Sequence, residues 1–382
     1  MYPLVISTFK HFPKRMSQQS RHMLTPLRRT SGGPNFKKQP RYPFSLAATA
    51  ASVTLGGLGY LQYQQNQQKK ELSALKAELT RLNIRCKTVD LHSQNNFDNK
   101  MAAQSADYIR GTCEDNGIST LDMPKVAIVL GSAQGAVAEE LLAKYSDDVV
   151  EIDYNDVPGM SKTTVSGHKG RFLLFKNGLL VVDGRKHYYE TRNSAESAFY
   201  VRILANLGIQ QLILTNASGS LDKTHCPKGS VGLITDFDTN IPDPRLGTAK
   251  FVALTNIVSA DLNSTLKQLA DGLNITLKEG AYYANQGPSY ETRSNIDGLR
   301  ARDFKYVGMS SVPEAMVAAE YPMQTACLTL ATNDCIGLSD ATDLPPTHGE
   351  VKEAGQQDRS LIQLLLLIDK TVRNSNDHQL HS

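Results

Sequence analysis

The first 70 residues contain no Asp and no Glu. Of the 41 Lys and Arg in the 382-residue chain, 11 fall in that stretch, so the other 30 face 38 acidic side chains and the body carries a net charge of −8. The formal charge of +3 therefore conceals a basic leader joined to an acidic body. No basic patch is left in the body to suggest a nucleic-acid partner. Cysteine is also sparse: Cys86, Cys113, Cys226, Cys327 and Cys335 show neither paired spacing nor a Cys-x-x-Cys. This argues against a disulfide framework or a zinc site and for free thiols. The glycine-rich turn Gly131-Ser132-Ala133-Gln134-Gly135 lacks the G-x-G-x-x-G spacing of a dinucleotide fold and the terminal Lys-Ser/Thr of a P-loop. No internal repeat is visible.

What precedes the body reads as an appendage. Residues 1–43 are rich in Arg, Lys, Ser and Gln, as a mitochondrial targeting segment is; a disordered basic tail is the alternative. Residues 44–63 carry no charge and come close to the length of a spanning helix, so they form a candidate single transmembrane helix and membrane anchor. Gly56, Gly57 and Gly59 would let such a helix pack closely, although a cleaved or interfacial segment fits the same composition. Residues 64–94 read as a helical stalk or linker, with Leu72, Leu75, Leu79 and Leu82 on a heptad-like seam. The expected location is mitochondrial or membrane-anchored through this extension, and cytoplasmic without it.

The body spans 95–375 and is followed by a polar tail at 376–382. Its apolar runs, 126–130, 172–175, 179–182, 211–215, 231–235, 306–309 and 325–332, alternate with helical patterns such as 101–113, 136–145 and 195–207. The fold class is α/β, a mixed central sheet flanked by helices. A closing helix at 349–372 contains LIQLLLLID, too short an apolar run to cross a membrane, and reads as core.

Polar groups collect at the ends of these runs, where α/β sheets place their ligands. Ser132 sits in a turn whose backbone N–H groups could hold an oxyanion. Arg185, His187 and Tyr189 alternate, so an extended segment would point a permanent cation, a titratable donor and an aromatic wall the same way. His168 falls in the loop before that hairpin. Small residues from Thr215 to Ser220 admit a close backbone approach, and Asn333 offers an amide that can both donate to and accept from a purine edge. The stretch from Gly287 to Glu314 adds Tyr290 and Glu291 at an expected helix start, and Ser310 and Ser311 where a strand opens toward an anion site. Each has a plain structural alternative: a glycine turn, a solvated edge strand, a capping Glu, an Asn that starts a turn.

In combination and order, the motifs GSAQG, TTVSGHKGR, GRKHYYE, TNASGS, EGAYYANQGPSYET, VGMSSVPE, ATND and THGEV make residues 98–375 resemble the trimeric purine nucleoside phosphorylases of the inosine/guanosine type. The resemblance implies a nucleoside phosphorylase-like fold, a homotrimer and a pentosyltransferase that reversibly cleaves purine nucleosides with inorganic phosphate as co-substrate and no other cofactor or metal. By position, Ser132, His168, Arg185, His187, Ala217 and Ser310 would bind phosphate, and Tyr189 and Met309 the ribose. His348 would reach the 5′-hydroxyl, and Tyr290, Glu291 and Asn333 would hold the base. Asn333, Glu291 and His187 would carry the chemistry, and Phe251 would reach a neighbouring subunit's site. Asp334 departs from the Lys usual in that family, which would reverse the charge at the purine 6-position and favour a 6-amino group. The alternatives are a methylthioadenosine/adenosine-type phosphorylase and a non-catalytic, membrane-anchored nucleoside-binding protein.

Overall fold

The structure, a computed structural model, describes residues 91–132, 134–247, 250–335 and 359–380, together with 349 and 353. The targeting segment, the candidate membrane helix, most of the stalk and His348 lie outside the described residues. Among those described, no helix is long and apolar enough to cross a membrane.

The sheet grows from β1 (Val126–Leu130), an uninterrupted apolar run buried along its whole length. Val126, Ile128 and Leu130 enter one core cluster while Ala127 and Val129 enter the other, the alternation of a strand covered on both faces. Beside it run β2 (Val149–Asp153), β3 (Arg171–Phe175), β4 (Leu180–Asp183) and β5 (Gln211–Ser220), followed by β6 (Val231–Thr239), β7 (Lys278–Ala284), β8 (Phe304–Gly308) and β9 (Gln324–Asp334). Their order is β2-β3-β4-β1-β5-β8-β7-β6-β9, and β9 returns to pair with β5, so five strands close into a ring and four extend from it. Pairings are mixed: β1 is parallel to β4 and β5, whereas β3 is antiparallel to β4. The expected mixed sheet is present, with β2 and β7 in addition to the runs read from sequence.

Helices cover both faces. On one side α1 (Leu91–Asp115) packs through Ala102, Ala106, Ile109 and Cys113. On the other, α2 (Gly135–Lys144) buries Val137, Ala138 and Leu141. The segment expected as one helix at 195–207 is broken at Ala198. After the one-turn α3 (Tyr188–Thr191), a short α4 (Ser194–Ser197) is capped by Asn193, and α5 (Phe199–Leu207) ends at Gly208 in the left-handed conformation. Next come α6 (Ala260–Asp271), capped by Ser259, and α7 (Arg293–Ala301), capped by Thr292. Beyond α8 (Val312–Ala318), the last helix α9 (Arg359–Leu380) buries Leu361, Ile362, Leu364, Leu365 and Ile368 beside α2 and α6, so LIQLLLLID is a core stripe. Each such Leu or Ile contributes roughly 1.5–3 kcal/mol through burial.

Candidate active site

A cleft opens at the ends of β1, β4, β5, β8 and β9, with about 700 Å³ of empty space once the open solvent at its mouth is included. Ser132, Arg185, His187, Ala217 and Ser310 line one part of it, and Tyr189, Tyr290, Glu291, Met309 and Asn333 line the remainder. Residues 201 positions apart in the chain, Ser132 and Asn333, thus face one space. His168 stands at the wall: its Nε2 lies 3.3 Å from Ser132 Oγ, and its Nδ1 accepts the Arg185 backbone N–H at 3.0 Å.

Arg185 leaves the end of β4 and is 1% exposed. Its Nη1 donates to Ser311 Oγ at 2.9 Å and to Glu314 Oε1 at 3.1 Å, and its Nη2 donates to the carbonyls of Thr215 and Val129. Burial opposes the charge, but Glu314, itself 2% exposed, holds the guanidinium ionised. Among the described residues of this cluster, only Arg185 Nε is buried without a partner.

His187 is the N-cap of α3, and the carboxylate of Glu190 three residues on reaches back to its backbone, while the Glu190 N–H donates to the His187 carbonyl at 3.1 Å. The Glu190 carboxylate accepts the His187 backbone N–H at 2.6 Å, lies 3.3 Å from His187 Nδ1, and accepts from the Thr164 backbone at 2.6 Å and the Thr164 hydroxyl at 2.8 Å. Burial works against this carboxylate, but the bonds from His187 and Thr164 outweigh it and hold Glu190 far below the ordinary range. Burial, with Arg185 nearby, pushes the His187 imidazole below its usual range. Tyr189 stacks on His187 with centroids 4.9 Å apart. The convergence of Arg185, His187 and Tyr189 is therefore achieved by a turn into α3, not by the alternation of an extended strand.

Three other expectations change. Gly131 N–H does not await an oxyanion: it donates to Gln134 Oε1 at 2.7 Å and to Thr215 Oγ1 at 3.1 Å. Glu291 is not a cap, since α7 begins at Arg293 and Thr292 and Asn295 cap each other; Glu291 instead accepts from Asn285 Nδ2 at 2.9 Å. Asp334 does not face the base end. Thr332, Asn333 and Cys335 line the cavity, whereas the Asp334 carboxylate accepts the Lys228 backbone N–H at 3.2 Å.

Thr332 Oγ1 donates to Asn333 Oδ1 at 3.2 Å, which orients the amide, and the Cys335 thiol is pushed up to about 12 by burial and the nearby Glu291. Gly219 makes room here, because a Cβ on it would stand 2.6 Å from Cys335 Sγ. Gly287, at φ +68°, does the same beside Tyr189 and Met309: a Cβ there would lie 2.7 Å from both Met309 Sδ and Tyr189 Cδ1. Glu314, Glu190, Thr332 and Cys335 escaped the sequence reading of the site, although VGMSSVPE and GRKHYYE contain two of them. No group of three or more His, Cys, Asp or Glu placed to hold a metal ion occurs among the described residues.

A family model described as the phosphorylase superfamily matches residues 125–368. The chain belongs to the phosphorylase superfamily. Purine nucleoside phosphorylase 1 of Geobacillus stearothermophilus is 32% identical over 261 residues, covering 66% of this chain and 91% of that protein. The purine nucleoside phosphorylase of Saccharomyces cerevisiae is 30% identical over 293 residues, covering 69% and 93%. Among solved structures, that of the Schistosoma mansoni purine nucleoside phosphorylase in complex with adenosine aligns with a TM-score of 0.61 at 25% identity, covering 71% of this chain and 96% of that one. The matched region of this superfamily member holds all the cavity residues named above.

Proposed function

We propose that the chain is a pentosyltransferase that reversibly cleaves purine nucleosides, inosine and guanosine first, with inorganic phosphate to give free base and ribose 1-phosphate. One observation supports this most: a single cavity joins a serine, arginine and histidine cluster suited to phosphate with an amide and a carboxylate suited to a purine, and the relatives are purine nucleoside phosphorylases.

As the glycosidic bond breaks, the sugar becomes cationic and the base gathers negative charge. Phosphate held by Ser132, His168, Arg185, His187, Ser310 and the backbone at Ala217 would offset the sugar charge from below. Asn333, oriented by Thr332, would donate to the base while Glu291 anchors another edge, and Tyr290 would cover the ring. Preorganised donors of this kind are worth about 2.7–4 kcal/mol each. Tyr189 and Met309 would hold the ribose and His348 its 5′-hydroxyl; His348→Ala should slow cleavage of inosine and leave its 5′-deoxy analogue unaffected. Neither a metal nor an organic cofactor enters this scheme, so a chelator should leave the rate unchanged.

Asp334 supplied the case for a 6-amino substrate, and its side chain is engaged with Lys228. The reading is tested by offering inosine, guanosine, adenosine and methylthioadenosine with phosphate. Cleavage of the first two supports it, and preference for either of the others overturns the substrate assignment.

A homotrimer is the proposed assembly. Phe251, 99% exposed in its own subunit, suits a residue donated to a neighbour's site. Sedimentation as a monomer at assay concentration would contradict this. The acid-free basic leader and the uncharged stretch at 44–63 support delivery to mitochondria or a membrane, which recovery of the intact chain from the cytosolic fraction alone would exclude.

A further inference from the structure

The two histidines beside the phosphate cluster are wired in opposite tautomers. Glu190, ionised, can only accept, so the 3.3 Å contact with His187 Nδ1 places a hydrogen on Nδ1. A neutral His187 then has a bare Nε2, and that is the nitrogen it has left for the cavity it lines. His168 is the reverse. Its Nδ1 accepts the Arg185 N–H at 3.0 Å, so its hydrogen is on Nε2, 3.3 Å from Ser132 Oγ. Neutral His168 is therefore already a donor toward the site, and protonating its Nδ1 would break a backbone hydrogen bond.

The charges around the pair do not relieve His187. Among the described residues, Arg185, just past β4, is the fixed cation beside the cluster, and it is matched by Glu314 of α8 at 3.1 Å and 2% exposure. Glu190 of α3 adds a second carboxylate. The remaining titratable neighbours, Tyr189 stacked on His187, Tyr200 of α5 on Glu314 at 3.2 Å, and Cys327 and Tyr282 near Arg185, are all pushed up by burial and stay neutral. Arg185, Glu314 and Glu190 thus leave this part of the cavity with a formal net charge of −1, and Glu291 on the same cavity adds a further carboxylate.

We infer that binding of phosphate is coupled to uptake of one proton at His187 Nε2, and that Glu190 is the positioning residue that creates the coupling by fixing the tautomer. The step balances as hydrogen phosphate dianion plus one solvent proton plus neutral His187, giving the dianion held by imidazolium. This rests on the reading of the cluster as a phosphate site. It makes phosphate affinity a function of pH set by the protein and not by phosphate alone.

The test is calorimetric titration of the full chain with inorganic phosphate at about pH 8, above the usual imidazole range, in two buffers of different ionisation enthalpy. The expected result is uptake of close to one proton per site, and an apparent affinity that falls roughly tenfold per pH unit above that point. In Glu190→Gln, whose amide can accept or donate, His187 can keep its hydrogen on Nε2, and uptake should drop toward zero. Binding without proton uptake by the wild type, or undiminished uptake by Glu190→Gln, overturns the inference while leaving phosphate as the ligand. Absence of phosphate binding overturns the phosphate-site reading together with it. Should Glu190→Gln fail to fold, nitrogen-15 spectra of the histidines in the wild type decide: His187 protonated on Nδ1 supports the wiring, and on Nε2 refutes it.

Discussion

Replacing Glu314 by Ala tests whether the Arg185 charge is held by this one carboxylate. The two side chains are 1% and 2% exposed and 3.1 Å apart, so neither can turn to water when its partner is lost. Breaking a buried pair from one side costs about 3–5 kcal/mol, because the other charge stays buried. Tyr200 loses its acceptor as well, a 3.2 Å bond to the same Oε1, which adds about 1–3 kcal/mol for an unsatisfied hydroxyl. Ser311 Oγ and the Thr215 and Val129 carbonyls receive Arg185 in both proteins and so cancel in the difference, and the expected loss is at least about 3–5 kcal/mol, a large share of the roughly 5–15 kcal/mol available to a folded protein. Denaturant unfolding followed by circular dichroism measures it, and Glu314→Gln, which keeps an acceptor for both partners, should lose less than Glu314→Ala. A loss under about 1 kcal/mol in Glu314→Ala would refute the reasoning, since it would mean that Arg185 is compensated elsewhere.

Three other outcomes follow from the geometry. Asn333→Ala should lower kcat for inosine by roughly a few hundred-fold, the scale of one lost preorganised donor; a near-normal kcat removes Asn333 from the reaction. Gly287→Ala forces a Cβ into φ +68° and against Met309 and Tyr189, so kcat/KM for the nucleoside should fall about 10–100-fold with the phosphate KM little changed, and steady-state kinetics with each substrate varied will show whether both parameters move together instead. Glu190, whose folded pKa is depressed, contributes stability that is complete above its unfolded value of about 4.3 and is lost as pH falls toward the folded value. Glu190→Gln should therefore be less stable than wild type at neutral pH and lose less on acidification, a difference that unfolding curves taken from neutral pH downward will reveal or deny.

The parts of this molecule that could be read in advance are those with local signals. An unbroken apolar run such as VAIVL is what a doubly covered strand requires, so the limits of β1, Val126–Leu130, are legible in the sequence. Ten of the twelve site residues named from sequence line one cavity, and His168 touches it. The edge strand β2, VVEID, and β7, which opens Lys-Glu-Gly, have too little apolar continuity to stand out. Glu314 could not be paired with Arg185 from sequence because 129 residues separate them and neither carries a local mark of the other. The orientation of Asp334 does not follow from alternation, since Thr332 lines the cavity beside Asn333; it depends on a bond to the Lys228 backbone, 106 residues away. The tautomers of His168 and His187 depend on bonds to the Arg185 backbone and to Glu190, which only the folded geometry supplies.

The most direct measurement is of products. Purified protein incubated with inosine should release hypoxanthine only when phosphate is present, with ribose 1-phosphate formed in equal amount. Free ribose in place of ribose 1-phosphate, or release of base without phosphate, would contradict phosphorolysis by this site.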